Sequence, residues 1–201
     1  MNATEYEEDT LLTFLDRTGV NVFQNNRSKV LRYFTASCIS DPDVCPRGLT
    51  VELWLYFPPY SHEEETVVLQ SGSKNSRGFT LYTESQRVCF EVRGETTYWT
   101  SCQDVLSGRN HWLHVVASWA RATGLVVIVD EPASHAWANV GGRSDGSILA
   151  DLDNLLRLGS PSGVSHQESS VAINSLSIWM RRLETDEIEA LFRSDGMIIV
   201  H

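Results

Sequence analysis

A closely spaced histidine pair, four cysteines and several short acidic groups are the residues of this 201-residue chain whose types could do chemistry. His111 and His114 stand three apart in "HWLHVVASW", a spacing that on a helix would let them share a metal ion. The segment reads as a strand, because Leu113, Val115, Ala117 and Trp119 alternate with Trp112, His114, Val116 and Ser118. On a strand the two rings point to opposite faces and cannot meet one ion. His114 is therefore expected to be a hydrogen-bonded histidine in or near the core. "SHEEET" lacks the second histidine of H-E-x-x-H and comes after two prolines, so it reads as a solvated acidic loop. Asp41 and Asp43 in "DPD", and Asp151 and Asp153 in "DLD", could each give oxygen ligands to calcium. Calcium is the cofactor the sequence raises, with Asp151 and Asp153 as the candidate metal pair.

Catalysis finds little to stand on. No G-x-S-x-G elbow, P-loop or dinucleotide fingerprint is present. A glycosidase on a β-scaffold needs two facing carboxylates. The glutamates of "EIEAL" are two apart on an expected helix and do not face together. Cys38, Cys45, Cys89 and Cys102 leave no thiol nucleophile if they pair off. The chain is expected not to be an enzyme. Loops carry binding more often than scaffolds do. The stretch "GGRSDGS" supplies Arg143 and Asp145 as candidate contacts, and Trp137 lies just before it.

The four cysteines allow three pairings, and sequence does not choose among them. Geometry favours nearest neighbours: Cys38 with Cys45 closes a small turn, and Cys89 with Cys102 staples two strands across "RGET". Neither spacing fits a zinc site. Together with the sequons at Asn2 (NAT) and Asn26 (NRS), the cysteines point to an extracellular or cell-surface protein of the secretory pathway. The formal charge of -10 and a pI near 5.0 would repel a phosphate backbone or an anionic membrane. Nucleic acid is not an expected partner. No stretch reaches the roughly 20 apolar residues of a spanning helix, so this domain is not expected to insert into a membrane.

The positioning elements are mostly strands. "GLTVELWLYF" sends Leu49, Val51, Leu53, Leu55 and Phe57 one way and Thr50, Glu52, Trp54 and Tyr56 the other. Short β-rich runs with Gly, Ser and Asn between them continue almost to the end. One helix is expected in "LETDEIEALFRSDG", from its acidic first turn and the stripe Ile188, Leu191, Phe192. The fold class is all-β: a two-sheet antiparallel jelly-roll sandwich with one short C-terminal helix. Residues 1–26 are expected to be a lead-in partly packed on the sandwich, and 27–201 one domain. The tryptophans at 54, 99, 112, 119 and 179 are expected in the core.

Three segments resemble the laminin-G/pentraxin (concanavalin-A-like) superfamily. "CISDPDVCPRGLTVELWLYF" is similar to the opening C-x(6)-C and G-[FL]-T-x-x-x-W of many such domains. "HWLHVVASWARATGLVVIVDE" is similar to W-x-H-V-x-x-x-W leading through a turn to a V-x-V-[DN]-G strand. "LRLGSPSG…VAINSLSIWMRRLETDEIEALF" is similar to the L-x-L-G strand and the family's closing strand and helix. The double-cysteine opening looks most like pentraxin-type domains at the N-termini of adhesion-class G-protein-coupled receptors. The resemblance implies an extracellular adhesion module engaging a protein or glycan partner. Its alternatives are a calcium-dependent glycan or lipid-headgroup binder, or a module of a secreted matrix protein. Homo-oligomers are common in the family. Where pentraxins place their calcium loop, this chain reads Ser160-Pro161-Ser162-Gly163.

Overall fold

The computed structural model describes residues 10–14, 29–32, 37–57, 66–72, 76–105, 111–130, 135–138, 142–143, 147–149, 155–158 and 172–195. Short alternating runs become strands, and the strands form two layers. The strands are β1 (Thr10–Phe14), β2 (Lys29–Arg32), β3 (Leu49–Phe57), β4 (Thr66–Ser71), β5 (Gly78–Glu84), β6 (Arg87–Arg93) and β7 (Thr97–Asp104). They continue with β8 (His111–Ala120), β9 (Gly124–Val129), β10 (His135–Ala138), β11 (Gly142–Arg143), β12 (Leu155–Leu158) and β13 (Ala172–Trp179). One sheet runs β1-β13-β3-β8-β9-β10 and the other β11-β7-β6-β5-β4-β12-β2. All of these strand pairings are antiparallel. The protein is an all-β sandwich of two antiparallel sheets.

The two-residue period dictates what lies between the layers. Leu49, Val51, Leu53 and Leu55 of β3 face inward with Leu113, Val115, Ala117 and Trp119 of β8. They meet Phe79, Leu81, Phe90, Val92 and Trp99 from the seven-stranded sheet. Trp99 packs edge-on against Trp119 at 5.1 Å, and Phe79 lies 5.5 Å from Phe90. Each of these fully buried large apolar side chains contributes on the order of 1.5–3 kcal/mol relative to exposure.

Helix α2 (Thr185–Asp195) forms where the acidic first turn and the apolar stripe place it. It lies over the outer face of the six-stranded sheet, where Ile188, Leu191 and Phe192 cover Val116, Val126, Ile128 and Trp179. Two hydroxyls pin the approach to this helix. Thr50 Oγ1 and Ser118 Oγ lie 2.8 Å apart, and both accept from the Leu183 amide. At the helix start Glu187 accepts from the Glu184 amide at 2.9 Å, so its carboxylate satisfies an otherwise orphaned donor. Arg181 grips the same carboxylate with both terminal nitrogens, at 2.6 and 2.7 Å.

Two disulfides are present, Cys38–Cys45 and Cys89–Cys102, the latter joining directly opposed residues of β6 and β7. The first closes a loop holding the short helix α1 (Ser37–Ser40) and a 3-10 turn, Pro42–Val44; neither has a helical pattern in the sequence. Trp99 and Trp119 are buried, whereas Trp112 is 36% exposed, because it stands on the outer face of β8 beside Tyr56.

Candidate functional site

The two outer faces of the sandwich are chemically different. On the six-stranded sheet helix α2 seals much of the surface. His114 is 3% exposed there, its Nε2 3.0 Å from Glu52 Oε1. The ring stacks on Trp54 at 4.9 Å and meets Phe192 of the helix at 4.3 Å. Asp130 closes the strand end by accepting from the His114 amide at 2.9 Å. His114 is a scaffold residue, held between a carboxylate and two aromatic rings.

The seven-stranded sheet carries a polar file instead. Strand register sets Arg157 opposite Gln70, Gln70 opposite Thr80, Thr80 opposite Glu91, and Glu91 opposite Thr100. All five share the outer face, since the inward positions beside them are Leu69, Leu81, Phe90 and Trp99. Gln70 and Thr80 are the buried floor of this file, while Glu91, Thr100 and Arg157 are half-buried. Arg93, two residues along β6, donates to Thr80 Oγ1 at 2.9 Å, and its Nε lies 3.3 Å from Glu91. Thr100 donates to Glu91 at 3.2 Å. Tyr98 stands opposite Arg93 and is 38% exposed. An amide, two hydroxyls, a carboxylate and two guanidinium groups thus lie across five neighbouring strands with an aromatic ring at one end. Of these, the half-buried Glu91, Thr100 and Arg157 can exchange hydrogen bonds with a hydroxyl-rich ligand while the exposed Tyr98 ring offers it an apolar face.

The residues singled out from sequence are distributed unequally. Trp137 lies on β10, opposite Val126 at one edge of the six-stranded sheet. Arg143 lies on β11, opposite Thr97 at the matching edge of the other sheet, one position from the Gly142–Tyr98 pair. Strand β11 therefore borders the Tyr98 end of the polar file, while β10 belongs to the other layer. Asp145, Asp151, Asp153, Asn2 and Asn26 lie outside the described residues. Asp41 and Asp43 are turned inward to arginines: Asp41 pairs with Arg77 at 2.7 Å and Asp43 with Arg121 at 2.6 Å. Asp43 also accepts from the Glu95 amide at 2.5 Å. Burial opposes the charge on Arg77, but Asp41, Glu95 and Asp43 outweigh it and raise its pKa. Among the described residues no group of three or more metal-capable side chains comes together.

The sequence pattern of the concanavalin A-like lectin/glucanases superfamily, in its laminin-G form, matches residues 33–189. The chain belongs to this superfamily. No curated protein matches this lectin/glucanase-like chain in sequence. Solved structures resemble it in shape. The binding domain of botulinum neurotoxin DC in complex with SialylT superposes with a TM-score of 0.67 at 11% identity, covering 93% of this chain and 52% of that one. The receptor binding domain of botulinum neurotoxin D gives 0.66 at 13% identity, covering 94% and 53%. The neurotoxin DC binding domain in complex with rat synaptotagmin II gives 0.60 at 11% identity, covering 92% and 51%. The chain thus spans about half the length of these structures, and at such identities the likeness is one of fold.

Sequence reasoning did not find the polar file. Alternation alone places Thr80, Glu91 and Thr100 on polar faces of their own strands. Only the pairing register brings them into one line, and no local signal encodes it.

Proposed function

We propose that this domain is an extracellular recognition module that binds a glycan across the outer face of the seven-stranded sheet. One observation carries the reading: the file Arg157, Gln70, Thr80, Glu91 and Thr100, with Arg93 beside it and Tyr98 at its end. The fold supports it, as do the similar structures, one in complex with SialylT and another with rat synaptotagmin II. Hydrolysis by the glucanase route needs two facing carboxylates. Among the described residues Glu91 is the one carboxylate in the file, which favours binding over cleavage. Trp137, Arg143 and Asp145 would extend the surface around the sheet edge, and Asp151 with Asp153 is the proposed place for calcium if one is used. The two disulfides fit an oxidising compartment, with Asn2 and Asn26 as proposed glycosylation points. Membership in an adhesion-type receptor is the proposed setting.

The test is isothermal titration against neutral and sialylated oligosaccharides, with NMR mapping of the amides that shift. Binding weaker than about millimolar is outside this proposal. Thr100→Ala and Glu91→Gln should each weaken binding about tenfold, with the fold retained by circular dichroism. Binding that ignores both variants, or shifts confined to the six-stranded sheet, would refute the assignment. Melting curves with calcium and with magnesium separate a metal-dependent site from a metal-free one.

A further inference from the structure

Helix α2 crosses the outer face of the six-stranded sheet row by row. Before it starts, the Leu183 amide donates to the hydroxyls of Thr50 and Ser118, which are opposed in β3 and β8. Ile188 shares a buried cluster with Val116 and Ile128, which pair in the next row. Phe192 meets the His114 ring at 4.3 Å one row further, where His114 stands opposite Trp54 and stacks on it at 4.9 Å. Ile188 and Phe192 are four helical residues apart, about 6 Å of rise. Rows on one sheet face are two strand residues apart, about 6.7 Å. Helix and strands therefore keep step, and the chain gains one row in roughly four to five residues. The row after His114 is Tyr56 opposite Trp112, whose rings meet edge-on at 5.6 Å. Trp112 is 36% exposed there, although His114 and Val116 on the same face of β8 are buried.

We propose that the segment Met197-Ile198-Ile199-Val200, which lies beyond the described residues, docks on the outward rings of Tyr56 and Trp112. It would extend by one row the cover that α2 begins. Position and chemistry assign the occupant. Helix α2 ends at Asp195, on the line that leads to this row. Counting roughly four to five residues on from Phe192 reaches Gly196 and Met197. From there the sequence runs through four apolar residues without a charge, directly after Arg193, Ser194 and Asp195. Aliphatic side chains laid on a Trp–Tyr pair take apolar area of both out of water. The helix is then held at each end, by Leu183 on Thr50 and Ser118 and by this strap on the aromatic pair. Lifting the strap uncovers a tryptophan and a tyrosine side by side, residue types enriched at the centres of protein interfaces. This face is opposite the polar file, so either reading can fail alone.

NMR of the full chain with methyl-labelled methionine and isoleucine tests the proposal. The methyl groups of Met197, Ile198 and Ile199 should show cross-relaxation to the Tyr56 and Trp112 rings, together with ring-current displacement. Both signals should vanish in Trp112→Ala and persist in Trp112→Phe, which keeps a ring. A chain ending at Asp195 should melt roughly 2–4 °C lower than the full chain, and so should Ile198→Asp. Adding Trp112→Ala to the shortened chain should lower it little further, because both changes remove the same contact. Methyl groups at random-coil positions in the full chain, or a shortened chain as stable as the full one, overturn the proposal. So does cross-relaxation found only between the methyl groups of one copy and the rings of another in mixed-label samples.

Discussion

Glu187→Gln removes a carboxylate that the fold holds in its charged form from two directions. Arg181 contacts it through both terminal nitrogens, and the Glu184 amide donates to it at the start of helix α2. The Arg181 hydrogen bond, then the Glu184 amide, lowers the pKa of Glu187 from 4.5 to about 2. Taken at face value that difference corresponds to about 3 kcal/mol. The side chain is 37% exposed, however, and water screens the pair, so the net contribution should be about 1 kcal/mol. The direction in pH is set by the lowered value. The contribution is fully present above pH 4.5, declines as pH falls from 4.5 toward 2, and is gone below 2. Urea unfolding monitored by tryptophan fluorescence at pH 7, 4.5, 3.5 and 2.5 reads it, because the difference between the two proteins isolates this carboxylate from the others. Glutamine should cost about 1 kcal/mol at neutral pH, with the two curves converging near pH 2. An equal gap at pH 7 and pH 2.5 would show that the loss is steric or helical rather than electrostatic, and the reasoning would be wrong.

Two further outcomes are expected. Gly48 has φ +91, and a side chain there would meet the Trp119 carbonyl oxygen directly; Gly48→Ala should destabilise by about 3 kcal/mol or more, a fall in melting temperature of roughly 6–12 °C by calorimetry. The Cys89→Ser, Cys102→Ser double variant opens a staple spanning a sequence separation of 13 and should lose about 3 kcal/mol in denaturant unfolding under oxidising conditions, with the far-ultraviolet spectrum retained.

The architecture was readable because it is local. Alternation in Leu49–Phe57 and His111–Ala120 marked strands, and the spacing of Ile188, Leu191 and Phe192 marked the helix that forms at Thr185–Asp195. The unreadable part depends on residues that meet across long stretches of chain. His114 announced its strand but not Glu52, its partner 62 positions earlier. Asp41 and Asp43 looked like metal ligands because their spacing is local, whereas Arg77 and Arg121, which claim their oxygens, come from distant turns. Trp112 obeyed the same alternation as Trp119. Nothing in the sequence told which side the helix would cover, so its exposure could not be anticipated. The polar file is hidden for the same reason, each member being an ordinary strand residue until five strands are aligned.

Strand β13 lies between β1 and β3, so β3 is an open edge and β1 has no partner in the layer until residues 172–179 arrive. Strand β12 likewise separates β4 from β2 in the other layer. A nascent chain on the ribosome therefore holds β3 with one flank of amide and carbonyl groups open until nearly all of this sequence has emerged. Pairing of β3 with β13 should therefore be a late step in folding, and the emerging chain should need a chaperone to shield that flank from other strands until then.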